Sequence, residues 1–292
     1  MTTTYSIKDL EKFSGIKAHT IRIWEKRFQI FTPDRTETNI RRYSEEELKY
    51  LLNVSVLYNK GMKISEIMNL PPDLMRERVM QLAIQSDGIE SHLENLVIAM
   101  IELNEDLFDK TFNTSMIKLG FEKTIIQLIY PFFEKIGLLW QTGSIIPTQE
   151  HFISNLIRQK LIVAIDSITA PRSATAKSFL LYLPENEWHE LGLLFKHYLI
   201  KKRGHRVIYL GPNVPFGNLK TVIQSVKPCC IVGQYITSRS FEESKTDLQN
   251  LAEYASSIQI FISGNFLQKN PDLLPKGLLA YKNIYEFLEQ TE

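Results

Sequence analysis

The hydrophobic pattern changes its period twice along the chain, and the changes mark three modules. Over 1–75 the apolar residues come in short bursts at helical spacing. Ser6 and Asp9 form a cap ahead of Leu10 and Phe13, and Gly15 supplies a tight turn. A second helix from about Lys17 to Phe28 carries Ile21, Trp24 and Phe28 as its apolar stripe. Pro33 to Ser44 reads as a short β-ribbon with Asn39 suited to a left-handed tip, and Glu45 to Lys60 and Ile64 to Asn69 read as two further helices separated by Gly61. Pro71-Pro72 closes this module.

From 76 to 170 the helical period continues with few breaks. Segments near 74–85, 89–102, 104–119, 121–138 and 149–168 predict a four- or five-helix bundle. Pro131 either kinks its helix or sits at a helix start. From 176 to 292 short apolar runs alternate with helical patterns. The runs Ser178 to Leu183, Val207 to Leu210, Cys229 to Gly233, Ile258 to Ile262 and Leu278 to Tyr281 predict strands. Helices near 188–203, 216–226, 241–256 and 283–290 fit between and after them, so the unit is a parallel, doubly wound sheet of flavodoxin-like order. The fold class expected is therefore multidomain α and α/β: a winged helix-turn-helix, a helical bundle, then a doubly wound parallel sheet.

Composition narrows the function. At 292 residues, 44% hydrophobic and 23% charged, the chain has the make-up of an ordinary globular protein. No apolar run approaches a membrane span and the first residues lack a signal-peptide core, so a cytoplasmic protein with no membrane partner is expected. A net charge of +1 hides a local excess, because 17–42 holds seven basic residues against three acidic ones. That segment suits a polyanion. Two short helices across a glycine turn form a helix-turn-helix, whose second helix enters the DNA major groove with its early residues, and the three ribbon arginines suit phosphates. Cys229 and Cys230 are adjacent in an apolar run and read as two buried strand thiols rather than a disulfide.

The candidate chemistry outside the DNA module centres on Glu187-Trp188-His189, where a predicted strand closed by Pro184 turns into a helix. Open α/β sheets place ligands at that end of their strands. A neutral His189 imidazole can coordinate a metal through one nitrogen while Glu187 orients the other, and Gly192 permits close packing of a bulky cofactor.

Family resemblances sharpen these readings. Tyr5-Ser6-Ile7, Gly15-Ile16, His19 to Arg27 and Arg35-Thr36 with Arg41-Arg42-Tyr43-Ser44 resemble the winged-helix DNA-binding domain of MerR-type transcription regulators. The resemblance implies a palindromic operator of double-stranded DNA, a homodimer or higher homo-oligomer, and contacts from His19, Thr20, Arg22, Lys26, Arg27, Arg35, Arg41, Arg42 and Tyr43. Cysteines placed after the dimerisation helix, as in the metal sensors of that family, are missing, so mercury-type or redox sensing is not expected.

Trp140, followed after nine residues by Glu150-His151, resembles the helical cap of the light-responsive, cobalamin-dependent repressors of the same family. There these residues line the upper face of the cofactor. Gln141 stands where those proteins have a histidine that takes cobalt after photolysis, so light is expected to leave a water-ligated cobalt and only a weak effect on DNA. Glu187-x-His189-x-x-Gly192 resembles the cobalamin-binding domain of methionine synthase and its relatives. That likeness implies adenosyl- or methylcobalamin, with His189 as the lower cobalt ligand and the base tail passing into the sheet. By spacing, the tail would run beside Gln234, Ile236 and Thr237, and beside Ser263-Gly264. Gln234 and Ser263 depart from the family's smaller residues. Gln234 adds bulk where a base should pass, while its amide offers a hydrogen bond instead. The expected function is a DNA-binding regulator, a repressor with a cobalamin effector domain and no enzyme. Two alternatives stand beside it: the same regulator with a degenerate pocket switched by a protein or another small molecule, and a cobalamin-dependent methyltransferase-like subunit.

Overall fold

Both ends of the first helix carry their own signals. The computed structural model describes residues 4–36, 39–85, 88–140, 146–169, 174–236, 241–264, 267, 270 and 274–291. Helix α1 (Ile7–Ser14) opens on a reciprocal Ser6–Asp9 capping box and stops at Gly15, whose φ of 72° is left-handed. Helix α2 (Ala18–Phe28) follows after two residues and buries Ile21 and Trp24. The hairpin β1 (Asp34–Arg35) and β2 (Arg41–Arg42) is antiparallel, with Asn39 in the left-handed region its tip demands. A second capping box, Ser44 with Glu47, starts α3 (Glu45–Asn59), and α4 (Ile64–Ile67) packs on it.

Pro72 begins α5 (Pro72–Gln85) as well as ending what precedes it, since a first-turn proline loses no hydrogen bond. Helix α5 packs on α3 and also on α6 (Ile89–Ile101) and α7 (Glu105–Leu119). The chain divides into two compact units, 1–156 and 157–292, so the winged helix and most of the helical bundle share one unit. Helix α8 (Phe121–Thr124) runs into a π-helical turn, Ile125–Ile129, and then α9 (Tyr130–Trp140). The Tyr130 N–H reaches back five residues to the Ile125 carbonyl. That widened turn lies directly ahead of Pro131, which cannot donate to the preceding turn and is the second residue of α9, the helix-start alternative. Helix α10 (Pro147–Asp166) completes the helical region.

The second unit holds β3 (Ser178–Pro184), α11 (Leu191–Lys202), β4 (Arg206–Val214), α12 (Phe216–Val226), β5 (Cys230–Gln234), α13 (Phe241–Tyr254), β6 (Gln259–Ser263), β7 (Leu278–Ala280) and α14 (Ile284–Thr291). All five strands are parallel in the order β4-β3-β5-β6-β7, the flavodoxin-like order expected. Alternation along the strands separates two cores. Leu180, Tyr182, Ile231, Tyr235, Ile260 and Ile262 pack with Leu219, Ile223, Leu248 and Leu251 of α12 and α13. The intervening positions, including Phe179, Leu181, Val232 and Phe261, face the other way, where Phe261 meets Phe287 of α14 edge-on.

Two expectations are corrected here. The second strand was expected to end at Leu210 but runs on to Val214, because register shifts at Leu181/Tyr182 and Tyr182/Pro184 absorb the left-handed Gly211 and Asn213. Only Cys230 is a buried thiol, held up near pKa 11 by burial, whereas Cys229 precedes the strand and is exposed.

Candidate functional site

The face of α2 left over after Ile21 and Trp24 turn inward is polar and basic. His19, Arg22, Ile23, Lys26 and Arg27 are exposed along it, and Thr20 is half-buried. On the ribbon, Arg35 and Arg42 are exposed, and Arg35 Nη1 donates to Asn39 Oδ1 at 2.7 Å, which steadies the tip. Arg41 is half-buried, and its Nε donates to Glu25 Oε1 of α2 at 2.9 Å. That bond to Glu25 raises the guanidinium's already high pKa.

Tyr43 lies in the core rather than on this surface. Its backbone pairs with Tyr5, its ring meets Phe31 edge-on, and its hydroxyl donates to Glu25 Oε2 at 3.1 Å. It holds the surface in place without facing outward. Glu25 thus links helix and wing, a role the sequence reading missed. Its only signal was an acidic residue isolated on a basic face.

The second site is built where β3 turns into α11. Glu187 is buried at 1% exposure, which is unusual for a carboxylate unless it is well satisfied. Its Oε1 accepts from the N–H groups of Trp188 at 3.0 Å and His189 at 3.1 Å, and its Oε2 accepts from Ile236 N–H at 2.9 Å, just past the end of β5. Oε1 also lies 2.6 Å from His189 Nδ1. A carboxylate can only accept, so Nδ1 carries the proton and, in the neutral ring, Nε2 keeps the lone pair. The His189 side chain is half exposed beside its buried partner. On the same turn, Glu190 accepts from Arg158 Nε at 2.6 Å and from the Tyr209 hydroxyl at 2.7 Å, fixing the start of α11 to β4.

Behind His189 the interior is filled. Gln234, the last residue of β5, faces α11, and a Cβ built on Gly192 would lie 2.9 Å from its Nε2 and 3.1 Å from its Oε1. Gln234 Oε1 accepts from Lys196 Nζ at 2.8 Å, and the same ammonium reaches the Gly192 carbonyl at 3.3 Å. Lys196 was missed by the sequence reading, although a lysine among Leu193, Leu194, Phe195, Tyr198 and Leu199 is a readable anomaly. Ser263 is half-buried, and Gly264 packs so closely that a Cβ there would fall 1.7 Å from the Tyr235 carbonyl oxygen.

In the first unit, Gln149 is buried at the start of α10, donating to the Ile101 carbonyl at 3.3 Å and to Glu45 Oε1 at 3.4 Å. It anchors the half-buried Glu150 and the exposed His151 beside it. The Trp140 side chain, Gln141 and Thr237 lie outside the described residues. Among the described residues no cluster of three or more His, Cys, Asp or Glu side chains can hold a metal ion. A metal at His189 would have to bring its other ligands with it.

Comparison with known proteins gives two family matches and two curated relatives. Residues 5–72 match the MerR HTH family regulatory protein model, and residues 92–164 match the B12 binding domain model. Two curated relatives come from Myxococcus xanthus. The HTH-type transcriptional repressor CarH is 26% identical over 256 residues, 86% of this chain and 85% of its own. The HTH-type transcriptional repressor CarA is 25% identical over 265 residues, 89% of this chain and 86% of its own. Among solved structures, the Methanosarcina barkeri monomethylamine corrinoid protein aligns with a TM-score of 0.53 and 14% identity, covering 70% of this chain and 98% of that one, a likeness of fold.

Cobalamin, the cofactor of such a domain, fits one end of the site and not the other. At one end, Glu187 holds the His189 ring so that, when neutral, its Nε2 lone pair could serve a metal-bearing cofactor. At the other end, the positions that the family resemblance gives to the base tail are occupied: Gln234 is paired with Lys196, and Gly264 abuts the Tyr235 carbonyl. Glu187, His189, Gly192 and Gln234 lie beyond both matched stretches, so their roles rest on geometry. With a MerR-type helix-turn-helix over 5–72 and a B12 binding domain match over 92–164, the chain is a homologue of the transcriptional repressors CarH and CarA.

Proposed function

We propose that this MerR-type regulator is a repressor that binds a palindromic operator as a dimer, through the α2 face and the wing, and that a corrinoid held at His189 is its effector. Residues His19, Arg22, Lys26, Arg27, Arg35 and Arg42 supply the exposed cations or donors for groove and phosphates. The observation that carries the effector half is the Glu187–His189 pair, whose buried carboxylate sets the imidazole tautomer before any ligand arrives. A bound corrinoid would supply cobalt, an axial bond and, with an alkyl upper ligand, a photolabile one. The chain's own contribution is to hold His189, with Glu150, His151 and Trp140 proposed for the upper side and Ile236, Thr237, Ser263 and Gly264 for the sheet side.

The module boundaries that go with this reading are 1–75 for DNA, 76–170 for the cap and 176–292 for the α/β unit. The methyltransferase-like alternative has the support of fold alone. The degenerate-pocket alternative has one specific observation in its favour, the Lys196–Gln234 pair inside the sheet face. The test is to purify the wild type and His189→Ala with hydroxocobalamin or hydroxocobinamide and record the visible spectrum and operator affinity of each. A His189-dependent spectrum together with a changed affinity supports the reading. Identical spectra and affinities with and without His189 would refute the effector half.

A further inference from the structure

Helix α11 buries Leu193, Leu194, Phe195, Tyr198, Leu199 and Ile200, and a lysine in that company needs an explanation. Lys196 is 5% exposed, and among the described residues no carboxylate pairs with it. Its neighbours are the Gln234 amide of β5 at 2.8 Å, the Gly192 carbonyl of its own helix at 3.3 Å, and the Tyr281 ring after β7, 5.5 Å from ammonium to centroid. Burying an ammonium against neutral partners is costly. Filling space alone would need only a leucine or methionine. The pair also covers the bare Cα of Gly192, where the absence of a side chain leaves space that the Gln234 amide occupies.

We propose that Lys196 and Gln234 form an internal plug that closes this face to a nucleotide base, so that the His189 site selects a corrinoid without a lower base, of the cobinamide class, over complete cobalamin. The proposal rests on the corrinoid reading of His189 and adds the ligand class. A tailless corrinoid needs only the coordinating end of the site, which is the end that fits. A complete cobalamin must displace a hydrogen-bonded pair from a packed interior, or remain folded over its own base with His189 unused.

The full chain is titrated with hydroxocobinamide and with hydroxocobalamin, following the visible spectrum. Wild type, His189→Ala, Gln234→Ser and Lys196→Ala/Gln234→Ser are compared, with thermal melts to establish folding. The wild type is expected to bind cobinamide with a His189-dependent shift, and about tenfold or more tighter than cobalamin. Opening the plug is expected to remove most of that preference by strengthening cobalamin. Gln234→Ser should do so in part, and carries the test if the double variant does not fold.

Equal wild-type affinity for both ligands overturns the plug, as does a preference that persists in the opened variants. Tight wild-type cobalamin binding that Lys196→Ala/Gln234→Ser abolishes overturns it as well, by making the pair a contact to the tail. If no protein binds either corrinoid, the corrinoid reading itself falls and takes the plug with it. That result differs from all the others in showing no spectral change anywhere.

Discussion

Arg41 Nε of the wing lies 2.9 Å from Glu25 Oε1 of α2, and the Tyr43 hydroxyl reaches the other oxygen of the same carboxylate. Wing and helix are therefore set relative to each other by one acidic side chain on an otherwise basic face. The pair is partly exposed, so its own worth is about 0–1 kcal/mol. Its value lies in geometry.

Arg22→Ala is expected to weaken operator binding by about 1–3 kcal/mol if it reads a base. Arg42→Ala, at an exposed wing cation, should weaken binding across all sequences and reduce the salt slope by roughly one. Glu25→Gln removes a negative charge from the face proposed for DNA yet loosens the wing, and it is expected to weaken binding. Anisotropy titrations at several salt concentrations measure all three. Tighter binding by Glu25→Gln would mean that the pair merely restrains a cation.

Glu187 accepts three backbone N–H groups besides orienting His189. Glu187→Ala is expected to destabilise the α/β unit by several kcal/mol, since each buried donor left unmet costs about 1–3 kcal/mol. Glu187→Gln keeps the shape and should lower corrinoid affinity roughly 10–100-fold, while His189→Ala removes the cobalt–imidazole spectrum altogether. Denaturant melts beside spectral titrations separate the two effects. A Glu187→Gln protein with wild-type affinity would leave the carboxylate a purely structural role.

Burial pushes the Lys196 ammonium down to a pKa of about 7 from 10.5. Below pH 7 both folded and unfolded chains hold the proton, and the burial penalty is fully present. Between about 7 and 10.5 only the unfolded chain holds it, so stability rises with pH across that window. The groups around the ammonium are an amide, a peptide carbonyl and the Tyr281 ring. Lys196→Met should flatten the pH 7 to 9 rise in melting temperature relative to wild type. Parallel curves for the two proteins would place the amine in water.

The two close-packed glycines should respond differently to a methyl group. At Gly192 the new Cβ meets the far end of the Gln234 side chain, which can give way, so Gly192→Ala should cost about 1–3 kcal/mol and less in a Gln234→Ser background. At Gly264, φ is +129° and the obstacle is the backbone of Tyr235, so Gly264→Ala should cost about 4 kcal/mol or more. Melts of the two single variants and the Gly192→Ala/Gln234→Ser pair test this, and a benign Gly264→Ala would contradict it.

Much of the fold was legible because local chemistry and long-range pattern agree. Ser6 with Asp9 and Gly15 mark both ends of α1, Asn39 marks the wing tip, and five apolar runs with intervening helices leave little choice of sheet. The lower end of β4 was not legible, because Gly211-Pro212-Asn213 carries turn chemistry that a bulged parallel strand tolerates. In the site, Glu187 and His189 declared themselves by spacing on a strand-to-helix turn. Tyr43 and Lys196 did not, since whether a polar tip lies in water or in the core depends on partners distant in sequence: Glu25 for one and Gln234 for the other.

The contact at Gly264 also bears on how the sheet assembles. Strands β5 and β6 are parallel and separated by a whole helix, so their pairing must be found by a long-range search. A one-residue slip that brought Ser263 against the Tyr235 carbonyl would put a side-chain carbon where none can stand. It would also turn every apolar residue of β6 to the wrong core. The same glycine therefore works as a proofreading point: a misaligned pairing meets a collision that the native register avoids.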